Sequence, residues 1–212
     1  MAQTLETLLS NSSDPMSSAA PFLSKGLYDQ AGSLAEELVA MLSKRNGFYA
    51  FEAALHVFPS HSTCYEIGLD EWNSESLWRG EYEVLLGRCV FFGEDIFGNQ
   101  FCIKDDKICS FDPETAEFEY LADDIEGWSQ AILDDYDLLT GYPLANQWQQ
   151  RNGALLSGQR LLPKMPFVAG GEFALENLYL GNAVEAMRSR ANLANQINNL
   201  PDGSKIQFSV VD

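Results

Sequence analysis

The stretch Phe91–Ile103, FFGEDIFGNQFCI, decides how the middle of this chain is read. Glu94 and Asp95 precede an Ile-Phe pair, Gly98-Asn99 follows, and an alternating apolar run closes the segment. An Asp side chain accepts hydrogen bonds from backbone amides two or three residues on. Glycine takes positive φ at no steric cost, and Asn tolerates similar geometry. Asp95, Gly98 and Asn99 therefore read as a structural turn, with Phe91 and Phe101 on the two strands it joins. This reading needs no ligand. A sharper alternative is a Ca²⁺ loop built from Glu94, Asp95, Asn99, Asp105 and Asp106, but the spacing D-x-[DN]-x-[DN]-G with a later Glu is absent. GEDIFGN also lacks the full G-x-x-x-x-G-K-[ST] of a phosphate cradle, since Asn99 and Gln100 follow Gly98. No metal and no cofactor is expected.

Working outward, strand signals continue on both sides. VLLGRCVFF precedes the turn, QFCI and KICSF flank Asp105-Asp106, DPET carries Pro at its second position, and EFEYLA follows. Short turns between four successive β segments imply an antiparallel sheet. A two-residue turn at Asp105-Asp106 sets Lys104 opposite Lys107, Ile103 opposite Ile108 and Cys102 opposite Cys109. The two cysteines then occupy a hydrogen-bonded pair position, which favours packed thiols over a strained disulfide.

Upstream, Leu27, Ala31, Leu34, Leu38 and Leu42 keep helical spacing up to KRNG. GFYAFEAALHVFP is aromatic and β-prone, and LDEWNSESLWRGEY reads as a short helix or turn. Residues 1–21, rich in Ser, Asn and Ala, read as a loose arm with one short helical turn. Downstream, DDIEGWSQAIL begins a helix with Asp123 as cap and Glu126 completing a capping box; Ile125, Trp128 and Ile132 form its buried face. YPLANQWQQRNG reads as another helix, RLLPKMPFVAGG as irregular, and Asn182 with Glu185 opens a helix striped by Val184, Met187, Ala191, Ala194 and Ile197. KIQFSVV alternates Ile206, Phe208 and Val210, which predicts a last strand. The fold class is α+β: a twisted, mainly antiparallel sheet flanked by helices, with a C-terminal helical elaboration ending in a strand. After the arm, residues 22–212 are expected to form a single domain, with a core over about 22–137 and the elaboration over about 138–212.

The chain has 212 residues, is 46% hydrophobic, and carries a formal net charge of −18. That charge argues against nucleic acid and against anionic membrane surfaces as partners. No apolar run approaches the ~20 residues of a membrane-spanning helix, and no basic head precedes an apolar block, so a cytoplasmic protein is expected. The charge is uneven. Between Glu66 and Asp137 there are 20 acids and 4 bases, and the rest of the chain holds 11 acids and 9 bases. Such a segment either keeps the protein soluble or attracts a basic partner.

Catalytic signatures are missing: there is no G-x-S-x-G and no H-E-x-x-H. His56 in ALHVF reads as a packed core histidine. The four cysteines show no C-x-x-C spacing, so reduced, mostly buried thiols are expected.

NGFYAFEAALHVFP, DEWN, LWRGEY, FFGEDIFGNQF and FDPETAEFEYLADDIEGW occur in an order that resembles the Smi/Knr-type branch of the SUKH superfamily. Asp95, Gly98 and Asn99 match its recurrent turn between sheet strands. The likeness spans roughly residues 46–128; the segment beyond Asp137 fits a longer bacterial subgroup less closely. The resemblance implies an α+β fold and a non-catalytic interaction protein. Many bacterial members are similar to immunity proteins that neutralise toxins, often nucleases, and others act as regulatory scaffolds. The expected partner is therefore a basic protein, in particular a toxin domain. The candidate binding residues are Glu94, Asp95, Asp105, Asp106, Asp123, Asp124 and Glu126, with Trp72, Trp78 and Phe97 as aromatic anchors. The alternative is a small enzyme or sugar-binding module that uses exposed Trp72, Trp78 and Tyr82 beside acids.

Overall fold

Six strands lie side by side in the order in which they leave the chain. They are β1 (Phe48–Ala50), β2 (Leu55–Val57), β3 (Val90–Glu94), β4 (Gln100–Lys104), β5 (Lys107–Asp112) and β6 (Glu117–Ala122), each antiparallel to its neighbour. The computed structural model describes residues 3–198, 200, 201 and 204. The β4–β5 turn has positive φ at both Asp105 (52°) and Asp106 (57°), the backbone that matches strand twist in a two-residue hairpin. Its register is Lys104 to Lys107, Ile103 to Ile108 and Cys102 to Cys109, and the cysteines are free.

Neighbouring residues of a strand point to opposite faces, so the pair Phe91-Phe92 demands cover on both sides of the sheet. On one face α5 (Ile125–Asp134) sets Trp128 against Phe92 and Phe101, with ring centroids 5.1 and 5.7 Å apart. On the other, α4 (Leu69–Trp72) and a 3₁₀ turn (Arg79–Tyr82) bring Trp78 to 5.1 Å from Phe91 and Tyr82 to 5.5 Å from Phe111. Trp72, Trp78, Tyr82 and Trp128 are all buried.

The segment expected as a loose arm is built into the fold. Helix α1 (Gln3–Ser10) buries Leu5, Leu8 and Leu9 and packs along α5. The next residues run beside β1: Ser12 bridges Ala50, and the amides of Ser13, Met16 and Ser17 donate to the carbonyls of Tyr49, Gly47 and Asn46. Three leucines at helical spacing outweigh the polar composition around them.

The long helix expected from Leu27 is broken into α2 (Lys25–Ala31), a 3₁₀ turn (Gly32–Leu34) and α3 (Ala35–Lys44). The break at Gly32, with φ +58°, lets the Asp106 carboxylate approach where a Cβ would sit. It is Asp124, not Asp123, that caps α5, accepting from the Gly127 amide at 2.7 Å.

Downstream lie α6 (Tyr136–Thr140), α7 (Tyr142–Asn152), β7 (Gln159–Pro163), β8 (Leu178–Asn182) and α8 (Ala183–Ile197). Strands β7 and β8 pair as a separate antiparallel ribbon, so part of the segment expected as irregular is a strand. Asn182 caps α8 by accepting from the Val184 and Glu185 amides. A second apolar cluster of Ala54, Ile96, Phe97, Ala145, Leu161 and Leu178 joins these elements to the β1–β2 and β3–β4 turns. The strand expected at Lys205–Val211 lies outside the described residues.

Candidate protein-interaction face

The turn after β3 is built as its residue types dictate. The Asp95 carboxylate accepts from the Phe97 amide (2.8 Å), the Asn99 amide (2.9 Å) and the Asn99 side-chain amide (2.7 Å). Gly98 has φ +82°, and Arg190 Nη1 donates to the Phe97 carbonyl at 2.6 Å. Asp95 is 4% exposed, and burial pushes its carboxyl up to about 7 against the pull of those hydrogen bonds. Asp95 is thus a turn former and does not meet a partner.

Glu94 is also interior, at 1% exposure, and it centres a polar network between the main sheet and the β7–β8 ribbon. Arg160 Nη2 lies 2.7 Å from Glu94 Oε1 in an ion pair set off the ideal hydrogen-bond direction. His56 Nδ1 is 3.0 Å from the same oxygen. Gln100 Nε2 donates to Glu94 Oε2 at 3.3 Å, and its own carbonyl accepts from the Trp72 indole at 2.9 Å. Tyr49 stacks on His56 and donates to Glu66. Burial would raise the Glu94 carboxyl, but Arg160, His56 and Gln100 outweigh it and hold it below the usual carboxylate range. Burial pulls the His56 imidazole below its usual range, against the effect of the hydrogen bond it donates to Glu94. A neutral imidazole beside an ionised, arginine-paired carboxylate binds β2, β3, β4 and β7 together. Both Glu94 oxygens are engaged from within the protein.

The aromatic anchors expected at a binding face are interior as well. Trp72, Trp78 and Phe97 are 1%, 0% and 4% exposed, so none can stack on a partner or a sugar, and Tyr82 is buried with them. Packing on the sheet consumes Trp72, Trp78 and Tyr82, and the second apolar cluster takes Phe97, which a reading of each segment alone does not reveal.

The remaining expected acids are at the surface but largely committed. Asp106 accepts from the Ser33 amide and hydroxyl, both at 2.8 Å, which holds its carboxyl below the usual range. Asp123 is 2.8 Å from Lys107 Nζ and accepts from Tyr120 at 3.0 Å. Asp124 caps α5, and Glu126 accepts from the Thr4 amide at 2.8 Å, tying down α1. Asp105 is exposed at the β4–β5 tip. Sequence reasoning passed over Asp112, Glu117 and Glu119, which are exposed on β5 and β6. For Glu117 and Glu119 the signal was present as the alternation in EFEYLA, whereas Asp112 opens the DPET turn. With Ser110 and Phe118, these three acids line an open depression of about 500 Å³. The structure therefore brings Asp112, Glu117 and Glu119 together at the β5–β6 turn and leaves Asp105 apart, in the β4–β5 turn at the other end of β5. Among the described residues no group of three or more His, Cys, Asp or Glu is placed to hold a metal ion. None of the described helices is long and apolar enough to cross a membrane.

The architecture is thus an α+β protein built on a six-stranded antiparallel meander, with helices on both faces and an appended two-stranded ribbon. Among solved structures, the crystal structure of Atu4351 from Agrobacterium tumefaciens is similar, with a TM-score of 0.57 over 90% of this chain and 88% of that one. The two sequences are 15% identical, so the likeness concerns the fold alone. No family model and no curated protein matches the chain.

Proposed function

We propose that this chain is a non-catalytic protein-binding protein that captures a basic partner on the acidic hairpin surface of β5 and β6. The SUKH resemblance of residues 46–128 supports the more specific reading of a cytoplasmic immunity protein that neutralises a basic toxin domain, nucleases being basic because they hold phosphates. The observation that carries the proposal is where the acidic excess emerges. Glu94 and Asp95 are buried, and Asp124 and Glu126 serve helix N-termini, yet Asp105, Asp112, Glu117 and Glu119 stand exposed on successive turns and strands of one hairpin system. Opposite charge across such a surface speeds encounter and is screened by salt.

The test is to look beside this chain for the reading frame of a large secreted protein and to express its basic C-terminal domain as the ligand. Its association rate is measured by stopped flow, with the parent and with the Asp105→Lys, Glu117→Lys, Glu119→Lys triple variant, at two ionic strengths. Association should slow about tenfold or more in the variant at low salt, on the scale of steering effects, and the difference should shrink at high salt. An unchanged rate, indifferent to salt, refutes the proposal and leaves the acids a solubility role.

A further inference from the structure

The two edges of the main sheet are treated differently. The outer edge of β1 is covered by the chain itself: Ser13, Met16 and Ser17 donate their amides to Tyr49, Gly47 and Asn46, and Ser13 Oγ accepts from the Tyr49 amide. Strand β6 ends the strand order on the other side, and no described element extends the sheet beyond it. In an antiparallel ladder, alternate residues turn their N–H and C=O groups away from the partner strand, so β6 presents a row of unpaired backbone donors and acceptors. Its pairing with β5 from Cys109–Tyr120 through Asp112–Glu117 is regular; the irregularity falls between Ile108 and Cys109, at the far end. Glu117, Glu119 and Tyr120 are exposed along this stretch, Tyr120 at 58%.

We propose that β6 is a docking edge onto which an extended, lysine- or arginine-bearing segment of the partner adds as a seventh strand. This rests on the acidic-surface reading above and specifies how the partner is held. Main-chain hydrogen bonds to β6 supply pairing without regard to sequence, and side chains at alternate positions supply selectivity. Glu117 and Glu119 share one face of β6, and the depression beside them is lined by Asp112 and Ser110 as well. A strand with basic residues at every second position places its cations over that depression, opposite the carboxylates. The exposed Tyr120 ring lies on the other face, where it offers an apolar surface to the intervening residues. A second copy of this chain is the wrong occupant, since edge-to-edge pairing of two β6 strands sets Glu117 and Glu119 against their own like charges.

The probe is a synthetic peptide of about ten residues alternating Lys with Thr and Val, a length that covers one strand. Its comparison is the same peptide N-methylated at alternate amides, which keeps every charge and removes the donors on one edge. Binding is followed by calorimetry and by amide hydrogen exchange of the full chain. The unmodified peptide should bind at least about tenfold more tightly than the methylated one, and protection should rise at residues 117–121. The Glu117→Lys, Glu119→Lys variant should lose about tenfold in affinity for the unmodified peptide while remaining folded by circular dichroism. Equal binding of both peptides overturns strand addition and leaves attraction to the acidic surface standing. Protection confined to the β4–β5 tip does the same. Binding of neither peptide also overturns it, and the association rate with the whole basic domain then decides the acidic-surface reading separately.

Discussion

Replacing Glu94 with Gln tests the network that joins the main sheet to the β7–β8 ribbon. The parent carboxylate and the Arg160 guanidinium are each 1% exposed and lie 2.7 Å apart. The substitution keeps the shape, removes the charge that compensates Arg160, and turns the Oε2 acceptor into an amide that faces the Gln100 amide across what was a 3.3 Å hydrogen bond. A buried cation left without its counter-charge costs about 3–5 kcal/mol. With a urea m-value of about 3 kcal/mol/M or less, the midpoint should fall by at least about 1 M. Glu94 has a depressed pKa in the fold, so its stabilisation is full above the ordinary carboxylate value of 4.5 and is lost as pH falls through the lower folded value. The gap between parent and variant should therefore narrow in acid. Removing both charges, as Glu94→Leu with Arg160→Met, should cost less than the sum of the two single changes by at least about 2 kcal/mol. A Glu94→Gln penalty below about 1 kcal/mol, or strict additivity, refutes the reasoning.

Gly98→Val should lose more than about 1 kcal/mol in urea melts, because φ +82° is strained for a β-branched residue and the new Cβ would lie 3.1 Å from Arg190 Nη1. Leu8→Ala should cost about 2–5 kcal/mol by the same assay, since Leu8 is fully buried; a loose arm would leave stability unchanged. Asp95→Asn should change the pH profile: the folded pKa of about 7 exceeds the ordinary 3.8, so stability from this group is full below 3.8 and is lost as pH rises through about 7. The non-titrating variant should thus gain on the parent between those values, by at most about 4 kcal/mol, and run parallel to it at higher pH.

What could be read from the sequence was local. The Asp95, Gly98 and Asn99 turn, the Asp105-Asp106 hairpin with its Cys102–Cys109 register, and the faces of α5 and α8 each depend on residues within a few positions. What could not be read depends on contacts from far along the chain. Glu94 is interior because Arg160 arrives on β7 to pair it, and α1 is ordered because α5 offers it a groove and Glu126 meets its first turn. Trp72, Trp78 and Phe97 looked available because each sits near acids in sequence. In space two of them fill the layer above Phe91 and the third closes the second apolar cluster.

The same contacts narrow what the net charge of −18 can do. Charges separated by more than a Debye length of about 8 Å at physiological salt barely act on one another, so a partner feels the acids beside its docking site and not the total. Within the acidic middle, Glu94 is neutralised by Arg160 and Asp123 by Lys107, while Asp124 and Glu126 face helix N-termini whose partial positive charge they offset. Glu117 and Glu119 have no such assignment among the described residues, and they share one depression at the edge of the sheet with Asp112, whose carboxylate also accepts from the Glu114 amide in the β5–β6 turn. Charged residues on an edge strand also guard against aggregation, so Glu117 and Glu119 protect β6 from its own copies by the repulsion that makes it attractive to a basic strand. Neutralising them with Gln should therefore weaken capture of a basic segment and raise self-association together. A protective role alone would produce only the second effect.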